Sequence, residues 1–124
     1  MKKNKIFKHM AIFPEDAVTI FDIIIPEQLA QFPEKANEIG YTFQFLIHGE
    51  GGGEWTLDFV SSPPTCVRGA VDNAFCAIRL AHEDFMKVFN NSNILTQLFF
   101  SGKIQATGNP AVFQKVAKIF DLAR

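Results

Sequence analysis

The alternation of apolar and polar residues is most regular near the C-terminal end of the chain. From Ala111 to Ala123 the apolar residues recur at helical spacing, and polar residues occupy the other side. Asn109 and Pro110 in front of this stretch suit an N-cap and a first helical position. The pattern predicts an amphipathic helix whose apolar stripe comprises Val112, Phe113, Val116, Ala117, Ile119, Phe120 and Ala123.

Five segments have the composition or the alternation that is typical of β-strands. They are residues 41–48, 54–59, 66–71, 74–80 and 103–107. The glycine-rich stretch 49–53 joins the first two segments and predicts a hairpin loop, and Asp72-Asn73 predicts a turn between the third and the fourth. In the second segment Trp55, Leu57 and Phe59 lie on one face of the strand.

Shorter helices are predicted elsewhere in the chain. Residues 83–90 carry two acids at the start and an apolar stripe behind them, and residues 95–100 form a short apolar helix. Near the N-terminus, Pro14-Glu15-Asp16 and Pro26-Glu27 each resemble a helix start, so we predict two short helices there. Helices and strands together predict a single α+β domain over residues 1–124, frayed at residues 1–12.

Composition makes the interior of this domain unusual. Phenylalanine supplies 14 of the 16 aromatic residues, hydrophobic residues make up 48% of the chain, and the mean hydropathy is +0.08. Phenylalanine is large and has no polar group, so the chain needs either a tight core, an oligomer interface or an apolar ligand to surround. Apolar helical stripes by themselves favour the plain core.

Charge and cysteine content restrict the classes of function and the cellular location that suit this chain. A net charge of −1 provides no basic excess for nucleic acid. A lysine cluster at residues 2–8 indicates a solvated terminus more than contact with an anionic membrane surface. Cys66 and Cys76 suit buried, reduced thiols. We expect a cytoplasmic protein, because the start resembles no secretory signal, residues 17–25 are too short to span a bilayer, and residues 122–124 are not a peroxisomal address.

Candidate catalytic chemistry is sparse. The loop at 49–53 lies between strands and is flanked by Glu50 and Glu54, so it does not suit a phosphate. His9, His48 and His82 have no metal-ligand spacing, and no nucleophile elbow is present. We therefore predict no enzyme, no metal and no cofactor; a thioester hydrolase, the weakest alternative, would have to use Cys76 or His48.

Three segments, in the same order, resemble the sterol carrier protein type 2 family. YTFQFLIHGEGGGEWTLDF (41–59) resembles its first hairpin, IRLAHEDF (78–85) its strand and acidic helix start, and FFSGKIQATG (99–108) its last strand. The similarity runs from about Pro33 to the end. Two positions depart from the family pattern: Ala81 replaces a capping Ser or Thr, which costs about 1 kcal/mol, and Ile94-Leu95 replaces Asp-Pro.

The resemblance implies a five-stranded sheet covered on one face by helices, with an apolar tunnel between them. It implies non-catalytic binding, transfer or presentation of a lipid: a sterol, a fatty acid, an acyl-CoA or an isoprenoid tail. The apolar stripes then become tunnel lining, for which we predict Trp55, Leu57, Phe85, Phe89, Leu98, Phe99, Ile104, Ala106, Phe113, Val116 and Phe120. Gln97 or Gln105 could touch a head group, although ordinary solvation suits both better. A protein-interaction or dimerisation module that uses the same groove is the alternative.

Overall fold

A computed structural model of the protein describes residues 16–71, 74–108 and 114–123. The helical segments are α1 (Ala17–Thr19), a π-helical turn (Ile20–Ile24), α2 (Ile25–Gln31), α3 (Pro33–Asn37), α4 (His82–Asn90), a 3-10 turn (Ser92–Ile94), α5 (Leu95–Phe100) and α6 (Lys115–Leu122). The strands are β1 (Thr42–His48), β2 (Gly53–Asp58), β3 (Thr65–Arg68), β4 (Cys76–Ala81) and β5 (Ile104–Gly108). The predicted α+β class is confirmed.

The five strands form one mixed sheet in the order β3-β2-β1-β4-β5. The central pair, β1 and β4, is parallel, and the other neighbours are antiparallel. The predicted third strand was too long: β3 ends at Arg68, and the next residue, Gly69, turns the backbone with a φ of +109°.

One face of the sheet, the inner face, carries the core. The pairing register aligns Phe45 with both Trp55 and Ile78, and Phe43 with both Leu57 and Cys76. All six of these side chains are at most 1% exposed. Side chains alternate along a strand, so the helices pack over this single apolar face, as predicted.

The outer face of the sheet is covered in part by chain that carries no helix. Gln44 and Thr56 point to this face, yet both are buried. The Gln44 Nε2 donates to the Val71 carbonyl at 3.3 Å, and the Thr56 Oγ1 donates to the Gly69 carbonyl at 2.8 Å. The segment after β3 therefore folds back across β1 and β2 and supplies the acceptors that these buried polar groups need.

The N-terminal helices differ from the prediction. Residues 17–31 are one uninterrupted helical run, and the separate helix begins at Pro33, not at Pro26. A proline inside an α-helix lacks the N–H for an i→i−4 bond and crowds the carbonyl there. The π-helical turn immediately before Pro26, in which the Ile25 N–H donates to the Ile20 carbonyl, widens the helix at this point and lets the run continue.

The other helices lie where the sequence predicted them. For α6, predicted over residues 111–123, the structure gives Lys115–Leu122, and residues 111–113 are outside the described part of the chain. α4 and α5 have the predicted extent within one residue, and Ala81 is the N-cap of α4 without a side-chain hydrogen bond, as the departure from the family pattern implied. Asn109-Pro110, Phe113, the Asp72-Asn73 turn and the lysine cluster lie outside the described residues.

Candidate functional site

Six aromatic side chains from both layers meet between the inner face and the helices. We call them the ring cluster: Phe21, Phe45, Trp55, Phe85, Phe89 and Phe120. Each is at most 4% exposed. The helical run 17–31 supplies one ring, strands β1 and β2 supply one each, α4 supplies two and α6 supplies one. An apolar interior is thus assembled from five elements.

The rings contact one another directly. The Phe21 ring stacks on Trp55 with centroids 4.8 Å apart and lies 5.1 Å from Phe45 and 5.5 Å from Phe85. The Phe120 ring meets Phe85 edge-on at 5.6 Å and Phe89 at 5.9 Å. These are ordinary stacked and edge-to-face separations. The six rings therefore pack against one another, and a tunnel beside them stays a prediction.

Most of the predicted lining residues face this interior. Buried there are Trp55, Leu57, Phe85, Phe89, Leu98, Ile104, Val116 and Phe120. Ala106 lies on the inner face opposite Ile78 but is half-buried, and Phe99 is half-buried with its ring 5.6 Å from that of Phe100. The structure thus places the predicted residues in one region; whether they line a lipid site stays a prediction.

Sequence reasoning missed two members of the ring cluster. Phe21 lies between Ile20 and Asp22 in a stretch with mixed strand and helix propensity, so its facing was not evident. Phe45 had a usable signal, since Phe43, Phe45 and Ile47 recur at every second position, and the residues between and beside them are polar except Leu46. That period of two would have placed Phe45 on the same face as Trp55.

A polar clasp holds the helical run against the edge of the sheet. The Trp55 Nε1 donates to Asp22 Oδ1 at 2.8 Å, and Arg68 donates to Asp22 Oδ2 from Nε at 3.1 Å and from Nη2 at 2.7 Å. The guanidinium also lies 5.1 Å from the centroid of the Trp55 ring, within cation–π range. The hydrogen bonds from Arg68 and Trp55 outweigh the effect of burial and lower the pKa of Asp22. The clasp fixes Phe21, one residue earlier, over Trp55.

Two cavities are lined by described residues. One, of about 280 Å³, lies between α3 and α6 and is bordered by Lys35, Glu38, Ile39, Lys118, Asp121 and Leu122. The other, of about 270 Å³, lies beside the hairpin loop and is bordered by Leu46, Ile47, His48, Gly49, Gly52, Gly53, Glu54 and Arg79. Neither is bordered by a predicted lining residue.

The two alternative candidates for a hydrolase, Cys76 and His48, lie at opposite ends of the β1–β4 pair. Cys76 pairs with Phe43 and faces the inner side, whereas His48 pairs with Ala81 at the other end of the same strand pair and is exposed. Five residues along a strand span about 16 Å. Burial also raises the pKa of the Cys76 thiol. Within the described residues, no three metal-ligating side chains come together.

The two glutamines that were weighed as head-group contacts, Gln97 and Gln105, are both exposed. Gln105 pairs with Arg79 and is exposed on the outer face, away from the ring cluster. Gln97 is exposed on α5. Both therefore agree with the simpler expectation of solvated side chains.

A five-stranded mixed sheet with helices over one apolar face makes this an α+β domain with an apolar interior between its two layers. The profile of the SCP-2 sterol transfer family matches residues 25–121, so the chain belongs to this family. None of the helices in the described part of the chain is long and apolar enough to cross a membrane.

The curated relatives are longer proteins, and the chain matches only a part of each. The chain is 34% identical over 97 residues to hydroxysteroid dehydrogenase-like protein 2 of Rattus norvegicus. The aligned segment covers 77% of this chain and 18% of that protein. The chain is 29% identical over 98 residues to sterol carrier protein 2 of Homo sapiens, covering 77% of this chain and 17% of the other. The chain thus spans about a fifth of the length of the curated relatives it matches.

Solved structures share the fold at low identity. Sterol carrier protein 2 of Yarrowia lipolytica, in its apo form, superposes with a TM-score of 0.72 at 20% identity and covers 84% of this chain and 88% of its own. Sterol carrier protein 2 of Aedes aegypti in complex with palmitate superposes with a TM-score of 0.62 at 12% identity, covering 85% and 94%.

Proposed function

We propose that this chain binds the tail of one lipid, such as a fatty-acyl chain, between the inner face of the sheet and the helices, and carries it without catalysing a reaction. The ring cluster is the observation that carries the proposal. It joins apolar side chains of five elements into one buried surface, and these side chains contact one another only through non-covalent packing. Family membership supports lipid binding, and a related fold is known with palmitate.

A lipid enters by separating rings that now touch. Separating two aromatic pairs costs about 1–3 kcal/mol beyond the area that they bury. Burial of a sixteen-carbon tail returns about 0.8 kcal/mol per methylene, or on the order of 13 kcal/mol before association and ordering costs are subtracted. The hydrophobic gain exceeds the cost of opening, which supports micromolar or tighter binding with loose selectivity.

Absence of catalysis is part of the proposal. Its support is the separation of Cys76 from His48 and the burial of the Cys76 thiol, which raises its pKa. Free Cys66 and Cys76 suit a reducing compartment, which supports the predicted cytoplasmic location. Palmitoyl-CoA turnover should equal the uncatalysed background in the wild type and in Cys76→Ala; turnover that the substitution abolishes would establish the hydrolase instead.

The binding test compares two positions on α5. Leu98 is 9% exposed in the core, whereas Phe100 is 80% exposed. With delipidated protein and a fluorescent C16 fatty acid, we expect saturable binding by the wild type. Leu98→Asp should raise Kd at least tenfold, and Phe100→Asp should change it less than twofold. Circular dichroism checks that both variants are folded.

Absence of saturable binding by the wild type would refute the proposal irrespective of the variants. Sedimentation velocity over a range of protein concentrations, with and without the lipid, tests the alternative. Reversible oligomers that form without lipid, in a protein that binds none, would favour a dimerisation module that uses the same apolar surface.

A further inference from the structure

His82 lies where three elements meet. It is the first residue of α4, and its Nε2 accepts a hydrogen bond from the Ala17 N–H, at the start of the helical run, at 3.1 Å. The hairpin loop closes over the ring: a Cβ placed on Gly51 would lie 3.0 Å from the His82 Cε1 and 3.1 Å from its Nε2. The imidazole is half-buried between the helical run, the hairpin loop and α4.

The start of the helical run depends on two acceptors. The first N–H groups of a helix have no partner within it. Here Asp16 Oδ1 accepts from the Thr19 N–H at 2.8 Å, and His82 Nε2 accepts from the Ala17 N–H. A histidine nitrogen accepts a hydrogen bond only while it carries no proton, so this bond requires the neutral ring.

Within the described residues, the charged neighbours of His82 on the elements that meet at its ring are acidic. On the helical run, the carboxylate of Asp16 interacts electrostatically with His82; hydrogen bonds from Thr19 are the main reason that the pKa of Asp16 is lowered, and His82 acts in the same direction. Next to His82 on α4 are Glu83, which pairs with Lys87 at 3.5 Å, and the buried Asp84. The hairpin loop contributes the exposed Glu50.

We infer that protonation of His82 releases the start of the helical run and thereby loosens the ring cluster. The imidazolium cannot accept from Ala17, and the positive end of the helix repels it. It pairs instead with the Asp16 carboxylate, which draws this side chain away from the Thr19 N–H. Both acceptors at the start of the run are then lost together.

The release reaches the interior through Phe21. This ring lies one helical turn beyond Ala17 and contacts Trp55, Phe45 and Phe85. When the start of the run is free to move, Phe21 separates more readily from its partners, and an apolar tail gains access. This second step rests on the proposed function, whereas the release itself does not.

The release is tested by amide hydrogen exchange on the full chain at pH 7.5 and pH 5.5, with rates corrected for the intrinsic pH dependence of exchange. In the wild type we expect protection of residues 17–21 to fall at least tenfold at pH 5.5. His82→Gln, whose Oε1 accepts but does not titrate, should show the same protection at both pH values. His48→Gln and His9→Gln are the controls and should behave as the wild type does.

Equal protection of the wild type at the two pH values would overturn the inference, and this comparison needs no variant to fold. An equal loss of protection in His82→Gln would also overturn it. For the lipid step, the probe is a fluorescent C16 methyl ester, which carries no titratable head group. Its association rate should rise at least threefold at pH 5.5 in the wild type and stay constant in His82→Gln.

Failure of the proposed lipid binding and failure of the His82 inference give different results. If the ester does not bind at either pH, the proposed function is refuted. The hydrogen-exchange measurement still decides whether protonation of His82 releases the start of the helical run. Binding at an unchanged rate, together with a measured release, would refute the step from the helical run to the ring cluster.

Discussion

At the scale of single residues, the exposed Asp22 has a structural role, because it joins the helical run to strands β2 and β3. It accepts from the buried Trp55 indole and from the exposed Arg68, so one carboxylate serves one buried and one solvated partner. The two interactions contribute different amounts to the free energy of unfolding. A buried donor that loses its acceptor costs about 1–3 kcal/mol, whereas an exposed ion pair contributes about 0–1 kcal/mol.

Asp22→Ala should therefore lower the free energy of unfolding by about 1–3 kcal/mol, because the Trp55 N–H loses its acceptor. Asp22→Asn keeps an acceptor for Trp55, and Arg68→Ala removes only the exposed partner, so each should cost less than about 1 kcal/mol. Urea denaturation measures all three. Equal losses in Asp22→Ala and Arg68→Ala would show that the ion pair, not the indole bond, carries the clasp.

A second carboxylate makes stability depend on pH. Hydrogen bonds from the Ser61 hydroxyl and amide, and from the Val60 amide, lower the pKa of Asp58 below its ordinary value of 3.8. Because the folded pKa is depressed, this stabilisation is present above pH 3.8 and is lost as the pH falls through the folded pKa.

We expect Asp58→Asn to lower the free energy of unfolding by on the order of 1 kcal/mol at pH 7. The difference from the wild type should shrink below pH 3.8. Urea denaturation at pH 7, 4 and 2.5 checks this, with the exposed Glu34→Gln as the control. A difference that stays constant with pH would mean that the Asp58 charge contributes nothing.

At the scale of elements, the edge strand β5 is joined to β4 by a close backbone contact. Gly108, with a φ of +102°, lies so close to Phe75 that a Cβ would meet the Phe75 carbonyl oxygen. Gly102, in the turn before β5, also has a positive φ, of +82°, but a Cβ there meets nothing within 4 Å. The two glycines share the backbone strain and differ in the steric contact.

Gly102→Ala should cost about 1 kcal/mol, the strain of a left-handed residue alone. Gly108→Ala should cost at least about 1–3 kcal/mol more, because β4 and β5 must separate to admit the methyl group. Thermal and urea denaturation compare the two. Similar losses would show that the edge strand adjusts freely and that the close contact does not stabilise the sheet.

At the scale of the whole molecule, the ring cluster joins the helical layer to the sheet. Phe85 occupies its centre, with its ring 5.5 Å from Phe21, 5.6 Å from Phe120 and 6.1 Å from Phe89. A side chain with neighbours in several elements contributes to the packing of all of them, so its removal affects global stability and not one helix.

Phe85→Ala should lower the free energy of unfolding by about 3–5 kcal/mol, the range for a buried Phe that leaves a cavity. Phe100→Ala, on a ring that is 80% exposed, should change it by less than about 0.5 kcal/mol. Calorimetry with and without palmitate extends the test. If a lipid tail occupies the interior, palmitate should restore more stability to Phe85→Ala than to Phe100→Ala.

The sequence by itself determined the elements whose signal is local. The alternation of Trp55, Leu57 and Phe59 predicted their common buried face, and the glycine-rich loop predicted the hairpin; both are confirmed. Such patterns succeed because the pleat repeats every two residues. Family membership was also readable in the sequence, because the resemblance rested on three segments in order.

Only the tertiary structure decided how the layers meet. Local signals predicted that a second helix starts at Pro26, yet one helical run, with its π-helical turn at Ile20–Ile24, continues past this residue to Gln31. The contact of Phe21 with Phe45, and of His82 with Ala17, joins residues that are far apart in sequence. No local period encodes such pairs, since their free energy depends on which surfaces the folded chain brings together.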